Sequence, residues 1–142
     1  MTIGRLLDGR PLEVVTCAAD ASVAEAVAIL AERRIGALPV VENGEVIGIF
    51  SERDIVYSLS EQGASVLERQ VRDVMTSPPV TVGRDTTVLA ALSLITRRRV
   101  RHLPVMEGGA MIGFISIGDL VKFRIDSVQS EAEAMRSYIQ SA

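Results

Sequence analysis

The chain has 142 residues, enough for one compact domain of ordinary size. Apolar residues make up 48% and charged residues 23%, a balance typical of folded globular proteins rather than disordered chains. The formal net charge is −3, no apolar run approaches the roughly 20 residues of a membrane helix, and Cys17 is the only cysteine. These features argue against general nucleic-acid binding, a membrane span, a secretion signal and an internal disulfide framework, and we expect a cytoplasmic protein.

The first predicted helix begins at Ser22-x-x-Glu25, a capping box in which both side chains satisfy free N–H groups at the helix start. Four apolar residues then recur at helical spacing, namely Val23, Ala26, Val27 and Leu30. A short strand is predicted at residues 38–41, and Asn43 and Gly44 predict a hairpin turn, because both tolerate positive φ. The returning strand is predicted at residues 46–50, and a second helix at Ser51. With a short strand before the first helix, the unit is βαββα.

This unit occurs a second time 65 residues later. Residues 14–57 align with residues 79–122 without a gap, and 17 of the 44 positions are identical. The second copy has Gly108 and Gly109 at the turn, a returning strand at residues 111–115 and a helix start at Ser116. Its helical stripe consists of Val88, Ala91, Leu92 and Ile95. Because so short a unit buries too little apolar surface to fold alone, we predict that both copies pack into one pseudo-symmetric α/β domain.

Two further helices are predicted outside the copies. Ser65-x-x-Glu68 is predicted to begin a linker helix, which Pro78 and Pro79 end, because proline cannot continue a helix. Ser127 is predicted to cap a terminal helix, whose apolar residues Val128, Ala132, Met135 and Ile139 are spaced 4, 3 and 4 apart. The predicted organisation is a first repeat at 1–62, a linker helix at 63–77, a second repeat at 78–125 and a C-terminal helix at 126–142.

Two in-register copies of Leu-Pro-Val, Ile-Gly and Ser-x-x-Asp resemble a pair of cystathionine β-synthase (CBS) domains, the Bateman module. The resemblance extends from about Leu6 to Phe123, and residues 71–76 resemble the segment that usually precedes a CBS unit. It implies a regulatory module without a catalytic cofactor that binds AMP, ADP or ATP, with NAD and S-adenosylmethionine as alternatives, in clefts between the repeats. It also implies a disc-shaped homodimer, head-to-head or head-to-tail.

The resemblance places the family's ribose-binding aspartate at Asp54 and Asp119. Each follows a serine by three residues, so the same pattern also predicts an ordinary helix cap, and the two interpretations are compatible. An acid in the first helical turn can accept the ribose hydroxyls, while free N–H groups there attract phosphate. The residues that the resemblance assigns to ligand clefts are Thr16, Ile35, Gly36, Ala37, Pro39, Ser51, Arg53 and Asp54 in the first copy, and Thr81, Thr86, Val100, Arg101, His102, Pro104, Ser116 and Asp119 in the second.

Basic residues distinguish the two copies. Residues 14–57 carry three arginines against seven acids, whereas residues 79–122 carry five arginines and one lysine against three acids. The arginines at 97–99 suit a helix C-terminus, where the helix dipole favours cations. The helix dipole does not explain Arg101 and His102, which occupy the positions of Gly36 and Ala37 in the first copy. We therefore predict unequal clefts, with phosphate held by basic residues of the second copy and Arg53 as the first copy's best candidate.

Other chemistries lack a supporting pattern. His102 is the only histidine, which excludes a cluster of imidazole metal ligands, and Cys17 aligns with Val82 as an apolar filler. Phosphate-binding glycine loops are absent, and no arrangement of nucleophile and base indicates an enzyme. The alternative function is a ligand-free module for protein interaction or dimerisation, which the stripe on the terminal helix favours. An unidentified protein effector is a further candidate partner, whereas nucleic-acid and membrane partners are not expected.

Overall fold

The computed structural model describes residues 1–11 and 13–141, and its elements follow the two predicted units. A short helix α1 (Ile3–Leu7) precedes the first repeat, which consists of β1 (Cys17–Ala18), α2 (Val23–Arg33), β2 (Ala37–Glu42), β3 (Glu45–Ser51) and α3 (Glu52–Gln62). The second repeat consists of β4 (Val82–Gly83), α4 (Val88–Arg98), β5 (His102–Glu107), β6 (Ala110–Ser116) and α5 (Ile117–Ser141). The predicted βαββα order is confirmed in both repeats.

Each repeat contains a three-stranded sheet, ordered β1-β2-β3 in the first repeat and β4-β5-β6 in the second. The first two strands of each sheet are parallel, and the last two form an antiparallel hairpin. Asn43 and Gly44 have φ of 52° and 80°, and Gly108 and Gly109 have φ of 58° and 82°. Two successive positive φ angles are those of a type I′ turn, which suits the hairpin turn predicted at each place.

The helices that cover the sheets begin at side-chain caps and end at left-handed residues. Ser22 and Glu25 form both hydrogen bonds of the capping box, and Thr87 caps α4 through its side chain. The buried residues of α2 are Val23, Ala26 and Leu30, and those of α4 are Val88, Ala91 and Ile95. Arg34 and Arg99 end the two helices at matching positions with left-handed backbones, which turn the chain into β2 and β5.

Each repeat has its own apolar core, and the segment preceding the other repeat closes it. α1 packs its apolar residues Ile3, Leu6 and Leu7 into the core of the second repeat. Val71 of the linker lies in the core of the first repeat, with Val74 and Met75 packed against it. The repeats are thereby joined in one domain, as the small size of each unit predicts.

Matching backbone hydrogen bonds fix these two segments. The Ile3 N–H donates to the Thr86 carbonyl oxygen at 2.8 Å, and the Val71 N–H donates to the Ala21 carbonyl oxygen at 2.8 Å. Thr86 and Ala21 are equivalent at the 65-residue offset, whereas Ile3 and Val71 are separated by 68 residues. The segment before the first repeat is therefore three residues longer than its counterpart before the second.

The linker and the terminal helix differ from the prediction. The linker forms two 3-10 turns, Gly63–Glu68 and Val71–Asp73, and the Ser65 hydroxyl donates to the Gln62 carbonyl oxygen instead of capping an α-helix. Ser127 does not begin a terminal helix, because α5 continues through it and the Ser127 hydroxyl donates to the Phe123 carbonyl oxygen at 2.8 Å. A serine that bonds four residues back is tolerated within a helix. Ala142, included in the predicted terminal helix, lies outside the described residues.

Candidate functional site

The starts of α3 and α5 each hold an aspartate in a fixed position. The Ser51 N–H donates to Asp54 Oδ2 at 2.9 Å, and the Asp54 N–H donates to Ser51 Oγ at 3.4 Å. The Ser116 N–H donates to Asp119 Oδ2 at 2.8 Å, and the Asp119 N–H donates to Ser116 Oγ at 3.0 Å. Both predicted caps are therefore formed through Oδ2, and Oδ1 of each aspartate binds a second partner.

Asp54 lies in a cleft of about 270 Å³ between the start of α3 and the end of α4, which we call the first cleft. Both repeats contribute to it. Its basic lining residues are Arg53, Arg98, Arg99 and Arg101, its acidic ones are Glu52 and Asp54, and its apolar ones include Ile49, Pro78, Pro79, Val80 and Val100. Four guanidinium groups against two carboxylates make this cleft basic, as expected for a phosphate site.

Two hydrogen bonds join residues that line the first cleft. Arg53 Nη1 donates to the carbonyl oxygen of Arg99 at 3.2 Å and so links the two repeats. The Thr76 hydroxyl donates to Asp54 Oδ1 at 2.9 Å. Thr76 is itself held by β3, since its N–H and carbonyl each form a 2.9 Å hydrogen bond with Ile49. Oδ1, the aspartate oxygen that the helix cap does not use, therefore accepts a hydrogen bond from a neutral hydroxyl.

Asp119 lies in a second cleft of about 490 Å³, lined by residues of both repeats that include Glu13, Ile35, His102 and Phe114. Arg10 Nη2 donates to Asp119 Oδ1 at 3.1 Å, which makes an ion pair. Burial disfavours ionisation of Asp119, but the Ser116 N–H and the Arg10 guanidinium outweigh it and hold the pKa of Asp119 below its ordinary value. Among the described lining residues there are two acids and no arginine.

His102 borders both clefts and stacks on Phe114, with ring centroids 5.4 Å apart. Burial lowers the pKa of His102 below its ordinary value; the Asp119 and Glu52 carboxylates oppose this shift, and the Arg101 guanidinium adds to it. The imidazole is therefore neutral at neutral pH and can both donate and accept hydrogen bonds.

A family model of the CBS domain matches residues 10–61 and 71–126. The chain belongs to the CBS domain family. Both matches together include most of the chain, so the resemblance expected from the repeated motifs is confirmed. The two clefts lie within a tandem CBS pair, and their aspartates occupy equivalent positions in its two repeats.

Known CBS proteins resemble this pair over nearly its whole length. The mitochondrial CBS domain-containing protein CBSX3 of Arabidopsis thaliana is 38% identical over 129 residues, which cover 87% of this chain and 63% of that protein. The chain thus spans less than two thirds of that relative. Because the relative's name places it in mitochondria, the cytoplasmic location expected for this chain stays a prediction.

Two solved structures show the same fold. A CBS-domain-containing protein from Agrobacterium tumefaciens is 40% identical with a TM-score of 0.84, covering 87% of this chain and 99% of that one. CBSX2, solved in complex with AMP, is 25% identical with a TM-score of 0.74, covering 88% of this chain and 96% of that one. The fold of a CBS pair is therefore shown by sequence and structure alike.

The structure brings most of the predicted site residues to the two clefts. The predicted residues in the first cleft are Gly36, Ser51, Arg53, Asp54, Val100, Arg101 and His102. Those in the second are Ile35, Gly36, Ala37, His102, Ser116 and Asp119. Gly36 and His102 are shared, because the chain entering β2 and the chain entering β5 both pass between the clefts. The first cleft combines Asp54 with three arginines of the second repeat, Arg98, Arg99 and Arg101.

Five predicted residues lie outside the described lining of both clefts. Thr16 and Thr81 are exposed just before β1 and β4. The Thr86 hydroxyl accepts a hydrogen bond from the Gly83 N–H at 3.1 Å, and so serves the turn after β4. Pro39 and Pro104 are buried in β2 and β5, one strand behind the cleft residues Ile49 and Phe114 with which they pair. None of these five residues belongs to the described lining of either cleft.

Sequence reasoning missed several residues that line or close the clefts. Arg98 and Arg99 were explained by the helix dipole alone, yet both line the first cleft. Arg10 and Thr76, which bind the two aspartates, precede the aligned repeats. A comparison of Ile3–Leu7 with residues 71–75 would have shown the three-residue difference in length that brings Arg10, rather than a threonine, to Asp119.

Other chemically reactive groups are few. Cys17 is buried in the first core, and burial raises the pKa of its thiol to about 11, as expected for an apolar filler. Within residues 1–11 and 13–141, no group of three or more His, Cys, Asp or Glu residues is placed to hold a metal ion. In the same part of the chain, no helix is long and apolar enough to cross a membrane.

Proposed function

We propose that this CBS pair is a regulatory module that binds one adenine nucleotide per chain in the first cleft. The observation that carries the proposal is the presence, in one cleft, of four arginines and a carboxylate fixed at a helix start. The AMP complex of the related CBSX2 supports AMP as the ligand. ADP, ATP, NAD and S-adenosylmethionine share its adenosyl group and are the alternatives.

Asp54 is the proposed ribose anchor. Its Oδ2 is held by the Ser51 N–H at 2.9 Å, so the carboxylate keeps its orientation without a ligand. Its Oδ1 accepts from the Thr76 hydroxyl, which a ribose hydroxyl can replace or join, since a carboxylate oxygen accepts two hydrogen bonds. Exchange of one neutral donor for another leaves the carboxylate satisfied, so ribose binding requires little rearrangement.

Arg53, Arg99 and Arg101 are the proposed phosphate ligands. Guanidinium groups bind phosphate through paired, charge-assisted hydrogen bonds, which are about twice as strong as neutral ones. The start of α3 adds the positive end of the helix dipole on the same side of the cleft. The apolar wall formed with Pro79 and Val80 offers a surface for the adenine ring.

The second cleft is the larger of the two, but we propose that it does not hold phosphate. Its volume of about 490 Å³ exceeds the roughly 270 Å³ of the first cleft. A phosphate there would meet Glu13 and Asp119, and the guanidinium of Arg10 is already paired with Asp119. Volume favours the second cleft and charge favours the first. Charge decides, because a phosphate placed beside carboxylates is repelled unless a cation there is free to bind it.

Binding at the first cleft is proposed to change the contact between the repeats. Arg53 of the first repeat bonds the backbone of Arg99 in the second, and both residues line the cleft. A phosphate that draws these guanidinium groups to itself favours one relative position of the repeats over others, as a ligand shifts a conformational equilibrium only by differential contacts. An effector protein is the proposed reader of that change.

We also propose a homodimer through the helices that follow the two hairpins. None of the residues of α3 is buried, and Val56 and Tyr57 are each 61% exposed. At the equivalent place in the second repeat, Ile117 and Val121 of α5 are 40% and 42% exposed. An apolar surface shared by both repeats is typical of an interface rather than of a free surface.

Native mass spectrometry of the purified chain with AMP, ADP, ATP, NAD and S-adenosylmethionine tests the nucleotide proposal. We expect one AMP per chain, and a rise in melting temperature that corresponds to about 2.7 kcal/mol at a ligand concentration a hundred times Kd. Absence of binding by every adenosyl compound, on protein shown to be ligand-free, would contradict it. That outcome would favour the interaction module, which the exposed residues of α5 support as the alternative.

A further inference from the structure

The distal part of α5 extends beyond the domain with an unpartnered apolar stripe. Val121, Ile125, Val128, Met135 and Ile139 are between 42% and 68% exposed, and Ala132 is exposed as well. Their spacing is 4, 3, 4, 3 and 4 residues, which is the heptad repeat of a coiled coil. These six residues form the α5 stripe.

The α5 stripe is separate from the face by which α5 packs on its own domain. Leu120 is fully buried in the second core, and Phe123 and Ser127 follow it on the same face, partly buried. At 3.6 residues per turn, the centre of the stripe is rotated about 120° from that face. The domain therefore holds α5 by one face, and the α5 stripe on another face is available to contact a partner.

We infer that the α5 stripe pairs with the α5 stripe of a second copy of this chain in a parallel two-stranded coiled coil. Ile125, Ala132 and Ile139 take the a positions, and Val121, Val128 and Met135 take the d positions. Isoleucine at a positions favours two strands. The inference extends the proposed homodimer by naming one of its contacts, and it is independent of nucleotide binding.

Charges beside the stripe decide the partner and its direction. In a parallel pair, a g residue lies beside the e residue five positions later in the partner, which sets Glu131 against the partner's Arg136, twice by symmetry. An antiparallel pair with the same apolar layers would instead set Glu131 against its own copy and Lys122 against Arg136. Attraction in one arrangement and repulsion in the other favour a second, parallel copy.

The anchored start of α5 makes so short a coiled coil feasible. The stripe covers 19 residues, a length at which an isolated helix is marginal in water. Here burial of Leu120 and the cap at Ser116 fix the first turns, so less ordering remains for dimerisation to overcome. A parallel pair also brings the two α5 starts together, so the second repeats of both copies lie side by side in a head-to-head dimer.

Disulfide cross-linking of full-length variants tests the direction. Val128→Cys at a d position should cross-link to itself under mild oxidation, because identical d residues face each other in a parallel pair, within the roughly 7 Å between Cα atoms that a disulfide allows. Ser130→Cys, on the outer face of the same helix turn, is the control and should react at least about tenfold more slowly. Cys17 is buried and does not compete.

Equal rates for the two variants, or faster cross-linking of Val128→Cys to Ala132→Cys than to itself, would overturn the parallel arrangement. A chain that has twice the monomer mass by light scattering but does not cross-link at Val128→Cys dimerises through another face, which also overturns the inference. A monomer without cross-linking leaves the stripe to a different partner and overturns it too.

A charge exchange supplies the second test. Glu131→Arg alone should weaken dimerisation roughly three- to tenfold, because two attractive pairs become repulsive. The double variant Glu131→Arg with Arg136→Glu restores both pairs with reversed sign and should return the dimerisation constant to within about twofold of the original. A double variant that dimerises as weakly as the single one would contradict pairing between these residues, whatever the fate of nucleotide binding.

Discussion

Arg10 and Thr76 each donate a hydrogen bond to Oδ1 of one of the two equivalent aspartates, but only Arg10 is charged. Thr76 bonds Asp54 Oδ1 at 2.9 Å, and Arg10 bonds Asp119 Oδ1 at 3.1 Å. The arginine and aspartate side chains are 40% and 32% exposed, so their ion pair contributes about 1 kcal/mol or less. Arg10 therefore biases the second cleft against a ribose without sealing it.

Replacement of Arg10 should change the number of sites. We expect Arg10→Ala to bind a second adenosine per chain, because Asp119 regains a free oxygen. It should still bind only one AMP, because the described lining of the second cleft contains no arginine or lysine to hold phosphate. Counting bound ligands by native mass spectrometry checks this, with Arg5→Ala, an exposed arginine of α1, as the matched control. Two equal adenosine sites in the unaltered chain would contradict the role of Arg10.

His102 should make the stability depend on pH. Its pKa is lowered in the folded chain, so between pH 5 and its unfolded pKa of about 6.5 the unfolded state binds more protons than the folded one. The free energy of unfolding should therefore fall as the pH drops below about 6.5, by at most about 1.4 kcal/mol per pH unit. The slope should flatten in His102→Gln, measured by urea unfolding from pH 7 to pH 5.

The titration itself can be followed directly, because His102 is the only histidine. Its imidazole resonance should titrate below pH 6.5 by NMR, and Arg101→Ala should raise the pKa by removing an adjacent positive charge. A titration above pH 6.5 in the unaltered chain, or identical unfolding profiles with and without His102, would contradict burial as the dominant influence on the imidazole.

Residue by residue, the sequence predicts positions whose role is local. The serine–aspartate caps and the glycine turns follow from short-range geometry, and the structure confirms them. Arg10 and Thr76 could not be assigned, because their contacts span 109 and 22 residues of chain. The repeat alignment leaves both residues out, and no local pattern links either to an aspartate.

Among the elements, the contact of the linker with β3 depends on a glycine. A Cβ at Gly48 would lie 2.6 Å from Met75 Sδ and 2.9 Å from the Thr76 carbonyl oxygen, which is backbone and cannot rotate away. Gly48→Ala should therefore displace the linker and destabilise the chain by about 1–3 kcal/mol. AMP binding should weaken as well, since Thr76 and the two prolines after it border the first cleft.

Gly113, which is equivalent to Gly48, and Gly83 provide controls for that prediction. At Gly113 a Cβ would meet only the flexible Leu7 side chain, at 2.8 Å, so Gly113→Ala should be milder and leave AMP binding unchanged. Gly83→Ala meets nothing nearer than 3.8 Å and should be neutral. Urea unfolding and calorimetric titration of the three variants check the series; equal AMP affinity in Gly48→Ala and the unaltered chain would contradict the linker's part in the site.

The predictions of the linker helix and of the terminal helix were wrong for opposite reasons. Residues 63–77 contain capping residues, but tertiary contacts hold the linker on the first repeat in 3-10 turns, with Val66 and Val71 buried. After Gly118, the part of α5 that the structure describes contains no glycine or proline, so nothing ends the helix at Ser127. Local signals mark where a helix can start, not whether the preceding helix has stopped.

At the scale of the whole molecule, the sequence reveals the duplication but not which segment closes each apolar core. Identity at 17 of 44 positions predicts two equal units in one domain. It does not predict that α1 closes the second core while the linker closes the first. Which segment closes which core depends on where the two segments of unequal length end. The same difference in length places Arg10 at Asp119 and Thr76 at Asp54.

The difference in charge between the clefts is the basis of the proposed function. Four arginines of the first cleft come from both repeats, and only one of them, Arg53, belongs to the first. A nucleotide bound there therefore holds the repeats together through its phosphate, while base and ribose supply the remainder. Phosphate must then contribute to affinity, and the contribution must come from the second repeat.

Calorimetric titration of AMP and adenosine against the unaltered chain and Arg101→Ala tests this claim most directly, with Arg97→Ala as a control that removes an arginine of α4 outside the described cleft lining. We predict that AMP binds the unaltered chain and Arg97→Ala roughly tenfold or more tightly than adenosine, because a charged hydrogen bond contributes about 1.5–3 kcal/mol. Arg101→Ala should lose most of that difference while adenosine binding is retained. Equal affinities of AMP and adenosine for the unaltered chain would contradict the account.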